Sequence, residues 1–298
     1  RPQQRSLTKR TMSKIALGTA QFGMAYGATN NFPPPSLDDV GEILEFAIDN
    51  NIRHLDTAAS YGDSEEILGK IGVSNFVVTT KLPHIGNSPI VAKNWVELQI
   101  EGSLKRLRLD TISTVLFHNC DDLLGRNGDL LWSELSAIKA AGTISKIGVS
   151  VYDEDELAKV LERYKIDVVQ VPCNILDGRF RRSDLLDTLI NRNIKIQVRS
   201  IFLQGVLIAE PLTRPQYFHQ FNEYLEPWDT WIAQNKIDAR SACFTSVDQF
   251  GCADFALIGV GSKSQLSELL VARQTTVNLD KDFSCPELRL IDPRLWKL

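Results

Sequence analysis

Eight short strand-like runs, most of them rich in valine and isoleucine, recur along the chain, each followed by a stretch long enough for a helix. They read IALGTA, HLDTA, FVVTTKL, ISTVLFH, SKIGVSV, VVQVPCN, IKIQVRS and FALIGV. β-Branched runs of this length signal strands. The segments LDDVGEILEFAIDNN, VAKNWVELQIEGSLKRL, GDLLWSELSAIKAAG and DEDELAKVLERY place apolar residues three and four apart, and turn residues such as Asn51 and Gly142 mark helix ends. Strands that are apolar throughout, alternating with helices, must be covered on both faces, which implies a parallel sheet. Eight such units favour an α/β fold of the closed (β/α)8 TIM-barrel type. The order of elements does not by itself separate this from an open, doubly wound sheet.

Apolar patterning begins just after Met12, so residues 1–12 are expected to be a linker or an expression remnant. Residues 13–298 are expected to form one barrel domain with a C-terminal tail. The interval 206–253 is too long for a plain unit and is expected to carry an extended loop or helix insertion after strand 7. Loops at that end of a barrel shape substrate sites. Its aromatics (Tyr217, Phe218, Phe221, Tyr224, Trp228, Trp231) suit either a pocket or core packing, the commoner use of helically spaced rings.

The formal charge of −4 gives no global electrostatic reason to bind nucleic acid or an anionic membrane. No apolar run approaches the ~18 residues of a membrane span, and the polar, basic start lacks the apolar core of a signal peptide. Five cysteines without a C-x-x-C pair point to reduced thiols, so the expected location is cytoplasmic.

Function must then come from local sites. On this reading Asp56, Lys81 and His118 end three consecutive strands, and Tyr61 lies in the turn after the first of them. Singly, each has an ordinary use: a cap, a lysine reaching solvent, a hydrogen-bonded histidine. Together at one barrel mouth they form a catalytic set. A tyrosine with a reference pKa of about 10 is a poor acid at neutral pH unless its phenolate is stabilised. Lys81, held by a buried Asp56, is expected to lie against Tyr61 and lower its pKa, while His118 polarises a substrate oxygen. The combination suits protonation of a carbonyl oxygen as hydride reaches its carbon. Protein side chains supply no hydride, so a cofactor is needed.

The segments LDTAASYGDSEEILG, TTKLP and LFHN, followed in order by KIGVSV, VVQVPCNIL and IGVGSKSQLSE, resemble the aldo/keto reductase superfamily from about Ile15 to Ala272. The resemblance implies a (β/α)8 barrel that binds NADPH, or NADH, without a Rossmann domain. It implies the tetrad Asp56, Tyr61, Lys81 and His118, with Tyr61 as general acid. It further implies cofactor contacts from Gly18 and Thr19 in the first loop, with Ser150 and Gln170 at the nicotinamide carboxamide. Asp56 also falls among the cofactor-binding positions. Arg199 stands where a nicotinamide-stacking tyrosine is expected, and Ser200, Phe202, Gln204 and Gly205 fall near the pyrophosphate or ribose. In the loop after strand 8, Gly259, Gly261, Ser262, Lys263 and Gln265 offer a phosphate site at a helix start, with Lys263 facing a 2′-phosphate. Val151 and Leu269 stand where the family usually has asparagines.

Other motifs fail. GDSEEILGK has the wrong spacing for a P-loop, no histidines have metal-ligand spacing, and GVGSKS comes too late in the chain for a dinucleotide fingerprint. The expected activity is NAD(P)H-dependent reduction of a small-molecule carbonyl, an aldehyde or ketone, with no metal. The GTAQFGMAYG and RSIFLQG variants are similar to a branch associated with bacterial surface sugars, which suggests a keto-sugar, including a nucleotide-linked one. The alternatives are an aldose or sugar-alcohol dehydrogenase working oxidatively, and a nucleotide-sensing regulatory subunit with vestigial catalysis.

Overall fold

A computed structural model describes residues 12–86 and 94–298. The proposed leader, apart from Met12, and residues 91–93 of one helical candidate lie outside the described residues. The eight expected strands all form: β1 (Lys14–Gly18), β2 (His54–Asp56), β3 (Val77–Leu82), β4 (Ile112–Phe117), β5 (Ile144–Ser150), β6 (Val168–Pro172), β7 (Lys195–Arg199) and β8 (Phe255–Gly259). Each pairs in parallel with the next, and β8 pairs with β1, so the barrel closes. Closure decides between the two architectures left open by element order.

The helices that cover the barrel start where local chemistry permits. After a short α1 (Ala20–Gly23), α2 (Leu37–Asp49) opens with a reciprocal capping box between Ser36 and Asp39. That satisfies two otherwise orphaned N–H groups, and the helix buries Val40, Ile43, Leu44 and Ala47. Next come α3 (Ser64–Ile71), α4 (Trp95–Leu107), α5 (Asp121–Leu124) and α6 (Gly128–Ala140). In α7 (Glu154–Arg163), capped by Asp153, Leu157, Val160 and Leu161 are buried; α8 (Leu185–Asn191) precedes β7.

Between β7 and β8 the chain makes three 3₁₀ turns, then α9 (Asn222–Asn235) and α10 (Ala239–Phe250). Its aromatics mostly pack, and none lines the cleft at the barrel mouth: Phe218, Phe221, Trp228 and Trp231 are buried, and Trp231 stacks on Trp228 with centroids 6.0 Å apart. Burial is made affordable by partners for the polar atoms. Trp228 Nε1 donates to Leu207 O at 3.0 Å, and Arg214 forms two 2.6 Å bonds to Asp229. After α11 (Lys263–Arg273) the tail runs through α12 (Leu288–Ile291) onto the rim formed by loops after β5 and β6. No helix among the described residues is long and apolar enough to cross a membrane.

Register places polar residues inside the barrel. Gly18 aligns with Asp56 and Asp56 with Thr79, while Ser150 aligns with Gln170 and Gln170 with Gln197. Gly148 on β5 is pressed between β4 and β6, and an added Cβ there would lie 1.8 Å from Val168 O. Because the obstacle is backbone, Gly148→Ala is expected to lose about 2 kcal/mol or more of stability, read as a lower urea midpoint. An unchanged midpoint would contradict this packing.

Candidate active site

Asp56 and Lys81 are both buried, and Lys81 Nζ donates to Asp56 Oδ2 at 2.6 Å. The same ammonium donates to Thr57 O at 3.0 Å and to Tyr61 Oη at 3.4 Å. An ammonium has three protons, so these partners account for all of them.

Tyr61 owes its place to a tight turn. Gly62 has φ +54°, and a Cβ there would sit 2.3 Å from Gly23 O; a Cβ on Gly23 would sit 2.1 Å from Tyr61 O. Two glycines thus bring the turn's backbone against α1. Ser64 Oγ donates to Thr19 O at 2.9 Å and lies 3.1 Å from Thr57 Oγ1, fixing the other side. Thr19 is occupied in this pin: its Oγ1 donates to Asp56 O at 3.1 Å, and it does not line the cleft described below.

His118 meets Tyr61 edge to face, with centroids 5.5 Å apart, and its Nδ1 lies 3.0 Å from Ser60 Oγ. Burial, with the nearby charges of Lys81 and Arg199, pushes His118 down to about 3, so the ring is neutral at ordinary pH. When Ser60 donates to Nδ1, the ring proton is on Nε2, which makes His118 a neutral hydrogen-bond donor.

The expectation that Lys81 lowers the pKa of Tyr61 is overturned. Burial raises it, and the charge of Asp56 raises it further, against a smaller lowering by Arg199. Burial of the phenol is the larger cause, and Asp56, 2.6 Å from Lys81, adds a negative charge that opposes the lysine's pull. Tyr61 therefore rests protonated, as a proton donor must. Lys81 itself is pushed down by burial and pulled back by Asp56.

Asp56 and Tyr61, though not Lys81 or His118, line an open cleft of about 420 Å³ together with Gly18, Gln170, Arg199 and, further along, Gly259 and Gln265. Gln170 Nε2 donates to Asp56 Oδ1 at 2.7 Å and to Gln197 Oε1 at 3.0 Å, and Gln197 in turn donates to Thr79 at 3.3 Å. With both amide protons used, Gln170 has its carbonyl oxygen to offer a ligand. Ser150 is buried beside it in register.

Ser200, Phe202, Gln204 and Gly205 also line the cleft. Ser200, Leu203 and Gln204 have φ of +62°, +48° and +52°, a run of left-handed non-glycine residues of the kind found at functional sites. Gly205 suits its place by conformation, with φ +94°, and it packs closely on Thr29, whose Oγ1 would lie 2.0 Å from an added Cβ.

The loop after β8 divides. Gly259 and Gln265 face the cleft, Gly261 N donates to Gln265 Oε1 at 2.8 Å, and Ser262 caps α11. Lys263 departs from its expected place: it is not among the lining residues, and its ammonium lies 5.9 Å from the Phe46 ring. The guanidinium that does line this part is Arg240, held by Asp238 and Glu268.

Sequence reasoning missed Ser60, Gln197, Tyr26, Tyr152 and Arg240. Gln197 carried a signal, an amide between the apolar Ile196 and Val198, as did Gln170 between Val169 and Val171. The other four lie on loops or a helix whose approach to the cleft no local pattern encodes.

Comparison with known proteins points to one family. The Aldo/keto reductase family model matches residues 14–283. An L-galactose dehydrogenase of Arabidopsis thaliana is 24% identical over 290 residues, covering 91% of this chain and 87% of that protein. Among solved structures, an aldo-keto reductase of Bacillus halodurans in its holo form superposes with a TM-score of 0.70 at 17% identity, covering 95% of each chain. A glycerol dehydrogenase of Gluconobacter oxydans gives 0.66 at 20% identity, covering 92% of this chain and 90% of its own. At these identities the structural likeness is one of fold.

Two predictions follow from the buried charges. Lys81→Met leaves Asp56 unpaired and is expected to cost about 3–5 kcal/mol, much of it recovered by adding Asp56→Asn; equal urea midpoints for wild type and Lys81→Met would refute the coupling. His118 has a depressed folded pKa, so its share of stability is complete above its unfolded value of about 6.5 and falls away as pH drops toward 3. Wild type should therefore lose more stability between pH 7 and 5 than His118→Asn, and parallel losses would remove this assignment.

Proposed function

This chain belongs to the aldo/keto reductase family and is thereby an oxidoreductase, and we propose that it reduces an aldehyde or ketone to an alcohol with a nicotinamide cofactor, using Tyr61 as general acid. The observation that carries the reading is the buried chain Asp56–Lys81–Tyr61, with contacts of 2.6 and 3.4 Å, opening onto the cleft.

The lining suits a nicotinamide dinucleotide. The Gln170 carbonyl is a free acceptor for a carboxamide, Gly18 and Gly259 leave room for close approach, and Ile201, Phe202, Leu257 and Leu269 supply apolar walls for flat rings. Gln204, Gly205 and Gln265 would hold polar parts of the cofactor. When bound, the reduced cofactor supplies the hydride. NADPH and NADH both fit this description; with Lys263 over Phe46, the contact expected to favour NADPH loses its support.

Tyr61 Oη gives its proton to the carbonyl oxygen, and the phenolate so formed lies 3.4 Å from the Lys81 ammonium. Lys81 thus acts on the product of proton transfer rather than on the resting phenol. Asp56 and Thr57 O hold the ammonium in position so that no reorganisation is needed as the charge appears. Neutral His118 directs its Nε2–H at the carbonyl oxygen and orients it.

The oxidative direction is a second reading, favoured by the names of two similar proteins, an L-galactose dehydrogenase and a glycerol dehydrogenase. Reduction consumes a proton and oxidation releases one, so progress curves in both directions across pH will decide between a carbonyl reductase and a sugar or polyol dehydrogenase.

Tyr61→Phe is expected to lower kcat by about a hundredfold or more while leaving the cofactor dissociation constant nearly unchanged, because the hydroxyl acts on the substrate oxygen. A variant that keeps more than about a tenth of the wild-type kcat would sink the general-acid assignment.

A further inference from the structure

Two guanidiniums line the cleft, and they differ in how they are held. Arg240 is paired with Asp238 and Glu268. Arg199 has no carboxylate partner among the described residues: Nη2 donates to Val151 O at 3.0 Å and Nη1 to Ser200 Oγ at 3.4 Å. Two of its five N–H donors are engaged, on a half-buried side chain that shares the lining with Tyr61 and Asp56.

Arg199 is also held still. Its Cζ lies 4.0 Å from the centroid of the Tyr152 ring, and Arg294 Cζ lies 3.8 Å from the same centroid. Both guanidiniums thus lie against the one ring. Arg294 is anchored in turn, at 3.0 Å from Glu156 and 2.7 Å from Asp292, and Glu156 Oε2 accepts from Tyr152 N at 2.6 Å. The C-terminal tail therefore clamps Tyr152, and Tyr152 supports Arg199. A fixed fork of donors is suited to a carboxylate or phosphate, which it can meet through paired hydrogen bonds.

We infer that Arg199 is a specificity-determining residue that binds an oxyanion, a carboxylate or phosphate carried by the carbonyl substrate, with Tyr152 as its positioning residue. This rests on the reading of Tyr61 as the proton donor in the same cleft. Location supports the substrate as the source of the oxyanion: Arg199 lines the same cleft as Tyr61, the proposed proton donor, and Tyr26. The cleft wall beside it includes Tyr26 and the largely exposed Phe32, flat apolar surfaces suited to the body of such a substrate. The cofactor also carries phosphates, so the experiment must separate the two sources.

The test compares matched substrates that differ in charge: succinic semialdehyde with butanal, and glyceraldehyde 3-phosphate with glyceraldehyde. The wild-type chain should favour the anionic member of at least one pair in kcat/KM. In Arg199→Gln that ratio should fall about tenfold or more, the scale of a charge-assisted bond, and Arg199→Lys should keep part of it. Tyr152→Leu should lower the ratio mainly through KM. Ratios that agree within twofold between wild type and Arg199→Gln overturn the proposal. If the ratios hold but fluorescence titration shows weaker binding of reduced cofactor, the oxyanion belongs to the cofactor and the substrate assignment is overturned. A measurement without turnover keeps the two readings apart: succinate titrated calorimetrically into the cofactor-free chain should bind wild type and not Arg199→Gln. If wild type turns over none of the carbonyls yet binds succinate through Arg199, the oxidoreductase mechanism fails and the anion site stands. If succinate binds both chains alike, the anion site fails. Circular dichroism of Arg199→Lys shows whether a lost effect reflects lost structure.

Discussion

The site depends on the ion pair between Lys81 and Asp56. Burying two charges is costly, and the 2.6 Å contact is sustainable because Lys81 uses all three of its protons and each Asp56 oxygen accepts a hydrogen bond. Lys81 also donates to Thr57 O and Tyr61, and Asp56 accepts from Gln170. The pair is a hub from which polar contacts run inward to Gln197 and Thr79 and outward to the tyrosine. It is also why a buried cation does not ionise the phenol beside it. With its field offset by Asp56, Lys81 leaves Tyr61 protonated, and its charge is felt once a phenolate appears.

Backbone contacts hold this hub in register with its surroundings. Gly23 and Gly62 let the turn carrying Tyr61 press against α1, and the Ser64 hydroxyl reaches back to Thr19. Opposite them, the segment after β7 takes left-handed conformations at three non-glycine residues, and Gly205 packs onto Thr29. Such conformations persist where surrounding contacts over-determine them. The cleft is thus bounded by loops tied to each other as well as to the strands that launch them.

The tail adds a third support. Through Arg294 and Tyr152 it reaches Arg199, linking the last turn of the chain to the end of β7. Many charges in this region are committed to partners, Arg294 to two carboxylates and Arg240 to two more. Against that background an uncommitted guanidinium in the cleft is a chemical preference awaiting a ligand.

Much of the architecture was legible in sequence because it rests on local periodicity. The eight β-branched runs form strands, and the helices start at caps such as Ser36 and Asp153 that bond to the residues just beyond them. Asp56, Lys81 and His118 could be placed at one rim because parallel strands in a barrel end on the same side. Periodicity does not report electrostatics: the direction of the Tyr61 shift turned on how deeply the phenol is buried and on the Asp56 charge beside it, both set by side chains from different strands. Nor does it report where a long side chain lies. Lys263 has the right position in sequence for a phosphate, yet its ammonium rests near Phe46, and Arg240 from another helix lines the cleft instead. Arg199 could be seen as a departure from an expected tyrosine, but its support by Tyr152 and Arg294 joins residues far apart along the chain. Sequence alone determined the elements and the chemical types at their ends, because those depend on neighbours a few residues away. Tertiary structure decided which charges cancel, which donors remain free and which loops meet, because those depend on distances set only when the barrel closes.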